Sequence, residues 1–164
     1  GRSGEATVRK NKSGIVVKGL HDLAVRFSRC CNPVPGDEIV GFVTRGRGVS
    51  IHRTDCINVI NLPQEERARL IDAEWQVAET AGSTEQYSTE IQIFANNRIG
   101  MFADISKVFT EKQIDITSMN VRTSKQGKAT IIMTFDIHGT EELNRITDKI
   151  RQIEGVLDIQ RTTG

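Results

Sequence analysis

Aromatic side chains are scarce in this chain. With one Trp, one Tyr and 5% aromatics overall, its cores must be filled mainly by Ile, Val and Leu. Cysteines number three, an odd count, and Cys30 and Cys31 are adjacent. Neighbouring cysteines close a disulfide only with strain, so a reduced, cytoplasmic chain is expected. No run of about 18 apolar residues is present to span a bilayer. No basic-then-apolar leader points to export. There is no Walker-type glycine loop, no nucleophile elbow and no paired metal-binding His-Asp, so no catalysis is expected of these residues.

What is there is unevenly spread. The net charge of +1 conceals +5 over residues 1–62, −4 over residues 63–87 and zero over residues 88–164. Positive charge therefore sits in the half that also holds every cysteine, which makes that half the candidate for nucleic-acid binding. A chain of 164 residues is long enough for one domain or two small ones. Domains under about 80 residues bury proportionally little surface and lean on metals or oligomerisation.

The densest chemistry lies between Cys30 and Cys56. A helix from Arg53 to Ile60 is expected, placing His52 and Cys56 one turn apart on a shared face. A turn carrying Cys30 and Cys31, bounded by Pro33, could meet that face. Three sulfurs and one imidazole are a tetrahedral set suited to a closed structural zinc site, with Cys30, Cys31, His52 and Cys56 as ligands and Asp55 orienting His52. The alternative is that the cysteines are small buried hydrophobes and His52 is simply hydrogen-bonded.

The remaining chain divides around this stretch. Residues 1–14 are polar and aperiodic, and are expected to be a flexible lead-in. Residues 15–77 form a cysteine-bearing module. Ile15–Val17 and Glu38–Thr44 read as strands, and the approach from His21 to Phe27 reads as either a helical turn or irregular backbone. Pro63–Leu70 is a short helix begun by proline, and Ile71–Val77 is strand-like. Residues 78–87 are a small, polar linker. Residues 88–164 show a cleaner period: strands at Ser88–Ala95, Ile114–Val121, Ala129–Ile137 and Val156–Gln160. Helices are expected from Met101 and over Glu141–Ile153, the latter ended by Gly155. The order β-α-β-β-α-β is that of a ferredoxin-like unit. The fold class is therefore α+β, a small cysteine-containing α/β module followed by a ferredoxin-like βαββαβ domain.

The motifs Cys30-Cys31-Asn32-Pro33, Pro35-Gly36-Asp37, Thr44-Arg45-Gly46-Arg47-Gly48-Val49, Ile51-His52-Arg53 and Asp55-Cys56 resemble the conserved-cysteine module of the long RelA/SpoT homologues. That module is also called the zinc-finger or ribosome-intersubunit domain. The second half resembles the ACT domain that ends those proteins. The resemblance implies a regulatory fragment of a (p)ppGpp synthetase/hydrolase of the stringent response, with the catalytic domains upstream. It further implies ribosome binding against large-subunit rRNA, with the ACT domain near deacylated A-site tRNA. In some members the ACT domain binds branched-chain amino acids, and a homodimer through ACT is expected.

Two further sites follow. Lys18, Arg26, Arg29, Arg45, Arg47 and Arg53 surround the cysteine motif and are the candidate RNA contacts. Gly46 and Gly48 would let the backbone approach phosphate. In the ACT domain, Asn97, Arg98, Ile99, Gly100 and Met101 at a helix N-terminus, with Ser118, Met119 and Asn120, are the candidate pocket for valine or isoleucine. The alternatives are solvated arginines and an ordinary strand-to-helix turn.

Overall fold

The computed structural model describes residues 14–17, 24–46, 48–76 and 85–163. The expected lead-in over residues 1–14, except Gly14, lies outside them, as do most of the linker, Lys18 and Arg47. Two sheets account for the strands. The first has order β1-β5-β3-β4-β2, built from β1 (Ile15–Val17), β2 (Ala24–Phe27), β3 (Ile39–Val43), β4 (Gly48–Arg53) and β5 (Leu70–Trp75). All its pairings are antiparallel except β2 with β4. Of the approach expected over His21–Phe27, the described part, Ala24–Phe27, is that parallel edge strand rather than a helical turn or irregular backbone, and residues 21–23 lie outside the described residues.

β-Branched residues at alternate positions explain the first core. Val49 and Ile51 of β4 point to one face, joined by Ile15, Ile39 and Ala73. Gly41 is required there: a Cβ would lie 2.9 Å from Val49 Cγ1 and 3.0 Å from Ile71 Cγ1. The helix expected over Arg53–Ile60 is shorter. β4 runs through His52 and Arg53, and α1 covers only Ile57–Ile60, behind a turn at Thr54 and Asp55. The valine-serine-isoleucine run favours an extended strand, and pairing with β3 carries it to Arg53. A 3-10 helix, Gln64–Arg69, follows Pro63.

The second sheet has order β7-β8-β6-β9, with β6 (Tyr87–Asn96), β7 (Ile116–Thr123), β8 (Lys128–Ile137) and β9 (Val156–Arg161). Helices α2 (Met101–Glu111) and α3 (Thr140–Arg151) complete the β-α-β-β-α-β order. α2 buries Met101, Ile105, Val108 and Phe109, the spacing of one helix face. α3 buries Leu143, Ile146, Thr147 and Ile150. They pack on Ile91, Ile93, Ile131, Met133 and Phe135, alternate residues of the central strands. Gly155 does take a left-handed φ of 94°, but in the turn into β9 beyond the helix end at Arg151, so it does not cap α3.

The two modules are in direct contact. Val34, 0% exposed, belongs to the core of the second module although it lies in the loop after Cys31. Phe27 and Trp75 stack at 5.6 Å, and Tyr87 packs edge-on against both.

Candidate metal centre

Strand alternation, rather than helical spacing, places His52. Residues two apart on β4 share a face, so Ser50 and His52 point away from Val49 and Ile51. The register adds Val40 opposite His52 and Arg26 opposite Ser50 on that same side. Cys30 and Cys31 arrive from the turn after β2. Asn32 takes a left-handed φ of 48° and its N–H donates to Ser28 O at 3.0 Å, which lets both adjacent thiols face one point. Cys56 sits immediately before α1.

The four side chains converge. Cys30 Sγ lies 3.4 Å from both Cys56 Sγ and His52 Nδ1, and 4.0 Å from Cys31 Sγ. Cys31 Sγ is 3.9 Å from His52 Nδ1, and all four donor atoms lie within 4.8 Å of one another. A tetrahedral zinc with bonds of about 2.0–2.3 Å sets its ligand atoms about 3.5–3.8 Å apart. The donor set therefore fits such an ion in both chemistry and size. Bound there, zinc would crosslink the Cys30–Cys31 turn, β4 and the start of α1.

The surroundings favour that use. Ser50 Oγ is 2.8 Å from His52 Nε2, so with Nδ1 turned to the cluster the Nε2–H donates to the hydroxyl. Burial, aided by the Arg26 charge, lowers the His52 pKa, a shift towards the neutral ring that ligates metals. Burial pushes Cys30 upward, but hydrogen bonds with Ser28, Asn58, Cys56 and Cys31 outweigh it and leave the thiol below its ordinary value. Burial drives Cys31 and Cys56 up, which opposes the thiolate form until a bound cation displaces their protons. The Arg53 N–H donates to Cys31 Sγ at 3.3 Å.

Asp55 does not orient His52. It pairs instead with Arg53, 2.5 Å away, while Ser50 fills the expected role. Ser50 carries no motif, and only the i, i+2 rule on a recognised strand would find it.

The arginines divide. Arg26, Arg29 and Arg45 are exposed. Arg53 is 5% exposed and donates to Cys31 O and Thr162 O, so it is a structural tie and not an RNA contact. A Cβ on Gly48 would lie 3.2 Å from Ala24 O, so this glycine serves the β2–β4 pairing; Gly46 is open.

The expected ACT pocket is not assembled within one chain. Arg98 is spent on Asp104 at 2.8 Å and on Glu154 O, and Met101 is fully buried in the core. Asn97 abuts Gly127 at one end of the sheet. Ser118, Met119 and Asn120 lie on edge strand β7, opposite Thr134, Met133 and Ile132, well along the sheet from that end. Ile99 is fully exposed.

Residues 15–76 match the family described as the RelA/SpoT RIS domain, and residues 83–161 match the ACT domain family. A GTP pyrophosphokinase of Streptomyces coelicolor is 41% identical over 150 residues, covering 92% of this chain and 17% of that protein. The GTP pyrophosphokinase of Escherichia coli K12 is 37% identical over 156 residues, covering 94% of this chain and 20% of that protein. The chain thus spans a fifth or less of the length of these curated relatives. The crystal structure of the ACT domain from the GTP pyrophosphokinase of Chlorobium tepidum is similar at a TM-score of 0.43 and 23% identity, covering 47% of this chain and 99% of that one. The chain belongs with the RelA/SpoT proteins, carrying their RIS domain followed by an ACT domain.

Proposed function

We propose that this chain is the regulatory part of a cytoplasmic stringent-response (p)ppGpp synthetase/hydrolase. It docks on ribosomal RNA near deacylated tRNA and relays the state of the ribosome to distant catalytic domains. The observation that carries this reading is the clustering of Cys30, Cys31, His52 and Cys56 beside the exposed cations Arg26 and Arg29, with Arg45 exposed on the turn between β3 and β4. A structural zinc would fix a small, strand-rich module that otherwise has a modest core. The fixed module then holds those cations in place against phosphates. Since neutralising phosphates releases counterions, binding falls steeply with salt. The test is ribosome co-sedimentation across a salt series. Replacing Arg26, Arg29 and Arg45 by Gln should weaken binding and flatten the log–log salt slope by about 0.7–0.9 for each phosphate no longer neutralised. An unchanged slope rejects RNA docking through this face.

A second reading, pairing of two chains through the ACT domain, has its own support. β7 is an open sheet edge, and Met119 (38% exposed) and Val121 (37%) lie uncovered on it. Such a pair could bring Ser118 and Asn120 of one chain towards the Asn97–Gly100 turn of another and complete a branched-chain amino-acid site. Sedimentation that finds only monomer removes the pairing. A flat calorimetric titration with millimolar valine or isoleucine removes the amino-acid site.

A further inference from the structure

The loop that supplies two of the thiols also fastens the modules together. Cys30 and Cys31 open it and Asp37 closes it. The Asp37 carboxylate accepts two bonds from Arg161, at 2.6 and 2.9 Å, across 124 positions of sequence. Both side chains are largely withdrawn from water, at 18% exposure for Arg161 and 9% for Asp37. The same guanidinium donates to Asn32 O at 3.1 Å, one residue beyond Cys31. Between these anchors, Val34 is fully buried in the second core and Pro35 O accepts the N–H of Thr140, the first residue of α3, at 2.8 Å. Gly36 has a φ of 100°, and a Cβ there would run into the Thr140 side chain.

The other ligand-bearing segment is tied to the second module as well. Next to Cys56, the Ile57 N–H donates to Thr163 O at 2.6 Å. Next to His52, Arg53 donates to Thr162 O at 3.1 Å. The stretches that carry the four donor atoms are thus the stretches that grip the last residue of β9, the two residues after it and the start of α3.

We propose that loading of the Cys30/Cys31/His52/Cys56 site and docking of the ACT domain form one linked equilibrium. The Cys30–Asp37 loop is the shared element, and Arg161 is the positioning residue that connects its far end to its metal end. This rests on the metal reading above. An ion fixes the start of the loop, and the ACT domain fixes its finish. Whichever event comes first orders the loop for the second, and the coupling is reciprocal by thermodynamic necessity. Apart from Val34, each module's core is built from its own residues, so loss of the ion opens the seam without dissolving the β6–β8 sheet. Metal occupancy thereby sets how the ACT domain is held against the basic module.

The experiment uses the full 164-residue chain. Zinc affinity is measured by competition with a chromophoric chelator in the wild type and in Arg161→Gln, Arg161→Lys and Arg145→Gln. Arg145 is the control, an exposed side chain paired with Glu141 of its own helix. The linkage predicts a Kd at least tenfold weaker for Arg161→Gln, a smaller loss for Arg161→Lys, and a value within twofold of wild type for Arg145→Gln. Amide exchange of the wild type with and without zinc needs no variant. Removing zinc should speed exchange at Thr140 and Ile57 at least tenfold while the amides of β6 and β8 keep their protection. An Arg161→Gln affinity within twofold of wild type overturns the linkage. Unchanged exchange at Thr140 and Ile57, or loss of protection spread evenly over both modules, overturns it too. A wild type that takes up no zinc overturns the metal reading as well, whereas normal uptake with an unaffected Arg161→Gln overturns the linkage alone.

Discussion

Ser50 Oγ lies 2.8 Å from His52 Nε2, two residues along the same strand face. This hydrogen bond leaves Nδ1 turned towards the three thiols. Substituting Ser50→Ala removes the partner that fixes ring and tautomer while keeping a small side chain at a 6% exposed position. Metal affinity should fall about 10–100-fold, the usual cost of losing such a partner. Chelator competition measures it, and circular dichroism should show the fold retained.

Arg53 and the exposed arginines should behave in opposite ways. Arg53 holds Cys31 O, Thr162 O and Asp55 from a buried position. Arg53→Gln strands those acceptors and should cost about 2–3 kcal/mol of stability, with the salt slope of RNA binding unchanged. Arg45→Gln should leave the melting temperature within a degree or so, because exposed substitutions stay within about 0.5 kcal/mol, and should lower the salt slope. Thermal melts and salt titrations of the two variants decide it.

Tyr87 gives a pH signature for the seam between modules. Burial, helped by the hydrogen bond and charge of Glu85, pushes its phenol up to about 12 from 10.0. The folded chain holds the proton where the unfolded chain has lost it. The resulting stability is complete below pH 10.0 and is lost as pH rises through about 12. As the only tyrosine, it can be titrated by its ultraviolet absorbance. The midpoint should lie near 12 in native protein and near 10 in denaturant, and Glu85→Gln should lower the native value.

Val34 belongs to a core it does not neighbour in sequence. Val34→Ala should cost about 1–3 kcal/mol through reduced burial and the cavity left behind. The loss should be seen in denaturant melts. Trp75, stacked at the seam, should report the change in fluorescence.

How much of this is legible beforehand depends on periodicity. The second module announces itself, because strands and helices with alternating or helical apolar spacing cannot bury their faces any other way; Ile131, Met133 and Phe135 are an example. The thiols and His52 are found by residue type, but no helix brings them together. A strand of β-branched residues swings His52 round by i, i+2 alternation instead. Arg53 looks like one more cation among many, and nothing local reveals that Thr162 lies above it. Val34 and Asp37 read only as turn residues: Asp37 meets Arg161 across 124 positions, and Val34 packs into a core built from the other module. The eight residues expected to form the amino-acid site do not meet within one chain, because strand register separates β7 from the turn after β6.

The central claim is that three thiols and an imidazole hold one metal ion. Elemental analysis of protein purified without added metal tests it most directly, alongside a Cys30→Ser, Cys31→Ser double variant. The account predicts one zinc per chain in the wild type and none in the variant. A folded wild type free of zinc, or a variant that still carries one, would contradict it.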